Sequence, residues 1–140
     1  MDSSLIAQKL ESLRRCLVRV RTRCPASAQA LSQDVDAQDV VVLNLSRAIQ
    51  LCTDIALHIL ASREQAIPQT MGQAFEALAA QQVISTSQGE SMRKAVGFRN
   101  LAVHSYDEID WQIVHAIATT HLTDFEEFAK AIARTLPSDI

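Results

Sequence analysis

At 140 residues, 48% of them apolar and 21% charged, the chain fits one domain with a sizeable core. A net charge of -3 argues against whole-surface binding to nucleic acid. Only three glycines and three prolines argue against a many-stranded β fold.

Five amphipathic helices follow in chain order. From Leu5 to about Arg23, the apolar residues Ile6, Leu10, Leu13, Leu17 and Val20 recur at steps of three and four, which puts them on one helical stripe. Cys24-Pro25 stops this helix, because a residue before proline is biased out of helical geometry. Its polar face holds Lys9, Arg14, Arg15, Arg19, Arg21 and Arg23 against Asp2 and Glu11. That is a local balance of +4 in residues 1–24, leaving -7 for the rest. The run reads either as a solvated face or as a docking strip for RNA phosphates or an acidic partner.

Residues 26–35 read as a connection with one short turn. The second helix spans about Asp36 to Ser62 on a stripe of Val41, Leu45, Ala48, Cys52, Ile55 and Ile59, widened by Leu43, Leu51 and Leu60. At 1.5 Å per residue it is about 40 Å long, enough to meet several neighbours, a second subunit among them. The third helix opens at Pro68-Gln69-Thr70, with Thr70 and Gln73 in capping-box spacing, and turns Phe75, Leu78 and Ala79 inward. A fourth start is read at Ser87-x-x-Glu90, ahead of Met92, Val96 and Leu101. Asp107-x-x-Asp110 caps a fifth helix that runs through Ile113, Ile117, Phe125, Phe128 and Ile132 to about Leu136, where Pro137 ends it. Short antiparallel connections make this an all-α bundle, a single domain over residues 1–140.

The three cysteines, Cys16, Cys24 and Cys52, form no CxxC pair and read as reduced thiols of a cytoplasmic protein, Cys52 as a small buried apolar residue. Charges interrupt the helical patterns, so no membrane span is expected. No metal-binding pattern of the Glu-x-x-His or His-Glu-x-x-His kind occurs, and no glycine-rich phosphate loop. Asp54 and His58 lie four apart, but two ligands do not make a metal site. His115 and His121 read as structural or exposed.

The densest chemistry lies in Gly97-Phe98-Arg99-Asn100-Leu101-Ala102-Val103-His104-Ser105-Tyr106. Asn100 and His104 share a helix face. Arg99 and His104, five apart, diverge by about 140° and about 7.5 Å along an ideal helix. One straight helix therefore does not aim both at one atom, whereas two chains pooling residues across a dimer axis could. An imidazole that exchanges a proton near neutrality and a guanidinium that forks onto phosphate oxygens suit phosphodiester cleavage without a metal. RNA supplies its own nucleophile, the 2′-hydroxyl. The plainer alternative pairs Arg99 with an acid such as Asp54 and leaves His104 and Tyr106 to finish a helix.

These residues resemble the signature of the HEPN superfamily, and the run through Tyr106 into Asp107-Glu108-Ile109-Asp110 looks like its HepT branch of HEPN/MNT toxin–antitoxin modules. The segments 47–59 and Phe75-Glu76-Ala77-Leu78 with Val83-Ile84 are similar to that branch as well, so the resemblance runs from about residue 5 to 136. It implies a HEPN-like bundle forming a homodimer, with Arg99 and His104 as the catalytic pair of an endoribonuclease. Asn100 would be the polar residue beside the arginine, Asp54 an orienting partner for Arg99, and Tyr106 the residue adenylylated by a nucleotidyltransferase antitoxin. ATP and Mg²⁺ belong to that partner, and no cofactor is implied for this chain. The competing expectation is a non-catalytic HEPN module that holds a nucleotidyltransferase or a nucleotide.

Overall fold

The computed structural model describes residues 1–137 and is all-helical over that range. Seven helices follow in order: α1 Ser3–Arg23, α2 Ala28–Ser32, α3 Val35–Ser62, α4 Met71–Ala80, α5 Thr86–His104, α6 Trp111–Thr119 and α7 Leu122–Ala133. A single 3₁₀ turn, Tyr106–Glu108, links α5 to α6.

Most of the expected apolar stripes become the core, but Ile113 of the last one is 54% exposed and Val114 is buried in its place. Ile6, Leu13, Leu17 and Val20 of α1 are buried, and the predicted α3 stripe is sealed from end to end. Leu43, expected to widen that stripe, is instead 50% exposed. α3 is the axis of the bundle, packing against each of the other six helices. A continuous stretch of 18 of its residues reaches a mean hydropathy of 1.5, so by length and composition it is apolar enough to cross a membrane, contrary to the sequence expectation. Within the fold, 56% of that window is buried, and the apolar character serves the core.

Six of the seven helix starts have a capping side chain, α7 being the exception. Asp2, Ser27, Asp34, Thr70, Ser85 and Asp110 each accept a backbone N–H of the first turn, satisfying donors that have no partner inside the helix. α5 begins two residues earlier than predicted. The full capping box is Ser85 with Gln88, because a start at Ser85 keeps Ile84 just outside the helix and buried. At α4 only half of the predicted box forms: Thr70 caps Gln73, while the Gln73 side chain accepts from the backbone of Gln69. After α3 and α4 the chain turns through left-handed residues, Glu64 at φ 58° and Gln82 at φ 60°. The backbone N–H of Gln65 then reaches Leu60 and that of Val83 reaches Leu78, as in Schellman closures.

The short turn expected within 26–35 is α2. One expectation needs correction: the predicted fifth helix is two, α6 and α7, broken around Thr120-His121. The apolar stripe keeps phase across that break, so periodicity alone does not reveal it. α4 and α5 pack closely at Gly89, where a Cβ would lie 3.2 Å from the Ala79 Cβ and 3.3 Å from the Phe75 carbonyl oxygen. Phe75 and Phe128 meet edge to face at 5.7 Å and tie α4 to α7.

Candidate active site

The last two turns of α5 and the 3₁₀ turn after it carry the residues singled out by sequence. Met92, Val96, Phe98 and Ala102 bury the inner face of α5. The half-buried Arg99 swings toward α4, where its Nη1 meets the Met71 sulfur at 3.5 Å. Asn100 and His104, four apart, are both exposed. Ser105 then leaves helical geometry at φ -145° and ψ 51°, so the chain bends immediately after His104.

That bend sets Tyr106 against α3, remote in sequence, and against the start of α6. Its hydroxyl donates to Asp39 Oδ1 on α3 at 3.3 Å, and its ring stands edge-on to Trp111 with centroids 6.2 Å apart. Burial first, then the Asp39 carboxylate through its charge and the hydrogen bond, pushes the phenol above its ordinary range. The ring is nevertheless 41% exposed. Asp39 was not anticipated, since no spacing rule connects positions 67 residues apart; Trp111, five residues on, was not anticipated because the irregular turn between it and Tyr106 follows no helical spacing.

Asp54 is not brought to Arg99. It faces α1, held by Lys9 at 3.6 Å and by the Gln50 side chain at 2.9 Å. The other histidines each have a partner. His58 Nε2 accepts the backbone N–H of Asp2 at 3.0 Å, His115 Nε2 donates to the Pro25 carbonyl at 2.9 Å, and His121 lies 3.5 Å from Asp124. His104 has no hydrogen-bond partner among the described residues. The first-helix arginines are partly engaged: Arg14 and Arg15 pair with Glu11, and Arg21 with Glu126. Arg19 instead lines a groove between α1 and α3 together with Arg15 and Arg47. Cys52 is fully buried and its thiol is pushed far up by desolvation, the apolar role predicted for it. No group of three or more metal-ligating side chains comes together among the described residues.

With this geometry in place, comparison with known proteins gives the family. The ribonuclease HepT-like family model matches residues 10–132. This chain belongs to the HepT-like ribonucleases. The mRNA nuclease HepT of Shewanella oneidensis is a HepT-like relative 36% identical over 130 residues, which cover 93% of this chain and 97% of that protein. A solved tri-AMPylated Shewanella oneidensis HEPN toxin in complex with MNT antitoxin superposes with a TM-score of 0.87 at 35% identity, covering 96% of this chain and 98% of that one. A toxin–antitoxin crystal structure with AMP-PNP gives 0.86 at 35% identity over 94% of this chain and 98% of its own. The HepT-like match spans α1 to α7 and includes the whole Arg99–Tyr106 segment.

Proposed function

We propose that this chain is a metal-independent endoribonuclease, the toxin of a HEPN/MNT toxin–antitoxin pair, silenced when a partner nucleotidyltransferase adenylylates Tyr106. The observation that carries the reading is the disposition of the histidines. Two of the four hydrogen-bond to backbone remote in sequence and a third lies beside a carboxylate, while His104 stands exposed and free of hydrogen-bond partners among the described residues, beside exposed Asn100 and two residues from Tyr106. A histidine left without a hydrogen-bond partner at a helix end, next to an arginine without a carboxylate partner among the described residues, suits proton transfer at a phosphate.

The RNA 2′-hydroxyl attacks the adjacent phosphorus as His104 takes its proton, and Arg99 forks onto the phosphate oxygens as charge builds. The bond to the 5′-oxygen breaks and that oxygen receives a proton, leaving a cyclic phosphate and a free 5′-hydroxyl. Asn100, on the same face as His104, helps to position the phosphate. Within one chain Arg99 leans on α4 while His104 faces outward, so a homodimer completes the pocket. Exposed Val103, 53% accessible on α5, and Leu43, one turn beyond Asp39 on α3, supply apolar surface for that contact. AMP on Tyr106 would place phosphate charge and adenosine bulk where RNA must enter.

The test uses purified protein, total cellular RNA and EDTA. Wild type cleaves, and Arg99→Ala or His104→Ala each lowers the rate by about 100-fold or more with an unchanged circular dichroism spectrum. Tyr106→Phe keeps cleavage but escapes silencing by the antitoxin with ATP. If His104→Ala cleaves like wild type, the catalytic assignment fails. If wild type does not cleave RNA at all, the non-catalytic nucleotidyltransferase-binding module is the better description.

A further inference from the structure

Tyr106 is the chain's single tyrosine, and its hydroxyl is the reacting atom of the proposed silencing. Two independent contacts fix it. Trp111 braces one edge of the ring, at 6.2 Å and an interplanar angle of 69°. Asp39, 67 residues away in sequence, receives the hydroxyl proton at 3.3 Å. Pointing that hydrogen at Asp39 leaves the oxygen lone pairs free, and the exposed side of the ring leaves room for an incoming nucleotide. Asp39 forms no ion pair with Lys, Arg or His among the described residues, so nothing in the fold competes for its carboxylate.

A neutral phenol is a poor nucleophile, and this phenol is held neutral by burial and by the negative charge beside it. The proton must therefore leave as the new bond forms. We propose that Asp39 accepts the proton of Tyr106 during adenylylation, so that the toxin chain itself supplies the base for its own silencing. The inference rests on the reading of Tyr106 as the modified residue. In the step, Tyr106 Oη attacks the α-phosphorus of a nucleoside triphosphate held by the antitoxin. The Oη–P bond forms, the bond from that phosphorus to the pyrophosphate oxygen breaks, and pyrophosphate leaves. The phenolic proton passes to Oδ1 of Asp39 and from there to water. A 3.3 Å contact is long for an O–H···O bond, but catalytic hydrogen bonds of this kind tighten once the partner is bound.

The experiment follows addition of the first AMP by intact-mass spectrometry, using full-length chain, the cognate nucleotidyltransferase, ATP and Mg²⁺. Asp39→Asn keeps an acceptor oxygen of the same size but removes the basicity. Asp39→Ala removes both, and Asp39→Glu restores the base on a longer arm. Asp39→Asn and Asp39→Ala are expected to lower kcat for the first addition by about 100-fold, with KM for the chain within about threefold of wild type and part of the rate regained in Asp39→Glu. Thermal melts by circular dichroism verify that each variant is folded, and Asp39→Glu set against Asp39→Ala carries the comparison if Asp39→Asn does not fold. An Asp39→Asn chain modified as fast as wild type overturns the inference, because position alone would then suffice. If wild type gains no AMP, or Tyr106→Phe gains as much as wild type, the reading of Tyr106 itself falls and the role of Asp39 falls with it. Modification of wild type together with the Tyr106→Phe control separates the two failures.

Discussion

Because Tyr106 has no other tyrosine to mask it, the phenolate absorbance of the folded chain reports its titration alone. The expected midpoint lies above the ordinary value of about 10. In Asp39→Asn it moves down but stays raised, since burial is the largest of the three causes. A midpoint unmoved by Asp39→Asn would mean that the carboxylate does not govern the phenol in solution. The sign of the linkage is fixed by the direction of the shift. The folded state favours the neutral phenol, so its contribution to stability is complete below the unfolded pKa and is lost as pH climbs past the raised folded one. With the ring partly open to solvent, that contribution is small. At this scale the sequence pointed to Arg99, Asn100, His104 and Tyr106 as a candidate site, because residue types with chemical capacity stood within eight positions of one another. It gave no sign of Asp39, whose contact with Tyr106 joins α3 to the turn after α5. Asp54 was legible as a polar residue on α3 but not as a partner of Lys9, because the face of α3 that meets α1 is decided only by packing.

Two glycines of α5 behave oppositely, and the difference belongs to helix pairing. At Gly89 a methyl group would press on Ala79 and on the Phe75 carbonyl oxygen of α4, and helix backbone yields little. Gly89→Ala is therefore expected to lose about 1–3 kcal/mol in urea unfolding. At Gly97 nothing lies within 4 Å of the added carbon, and Gly97→Ala should gain up to about 1 kcal/mol from helix propensity. Equal effects at the two positions would mean that α4 and α5 do not approach as described. Helix identity was readable wherever a stripe was long and bounded, as in α1 and α3. Boundaries were harder to place. Ser85-x-x-Gln88 and Ser87-x-x-Glu90 are overlapping start signals, and only the burial of Ile84 decides between them. The break between α6 and α7 carries neither glycine nor proline.

For the molecule as a whole, the proposed homodimer makes a prediction about mass. Wild type should sediment as a dimer, whereas Leu43→Glu, which plants a charge on exposed apolar surface of α3, should shift it toward monomer and lower RNA cleavage in parallel. A wild-type monomer that cleaves at full rate would remove the need for a second chain. The bundle architecture was legible because few turn-formers and long apolar stripes leave little else to build. The centrality of α3 was not, since length alone does not tell how many neighbours a helix has. One consequence follows from where Tyr106 sits. Its turn contributes no buried residue to the interior organised by α3, so a substituent on the hydroxyl lies outside that interior. On the proposed function, a cell would hold its toxin finished and sheathed, as durable muzzled as when armed, with no need to unfold or rebuild it between the two conditions.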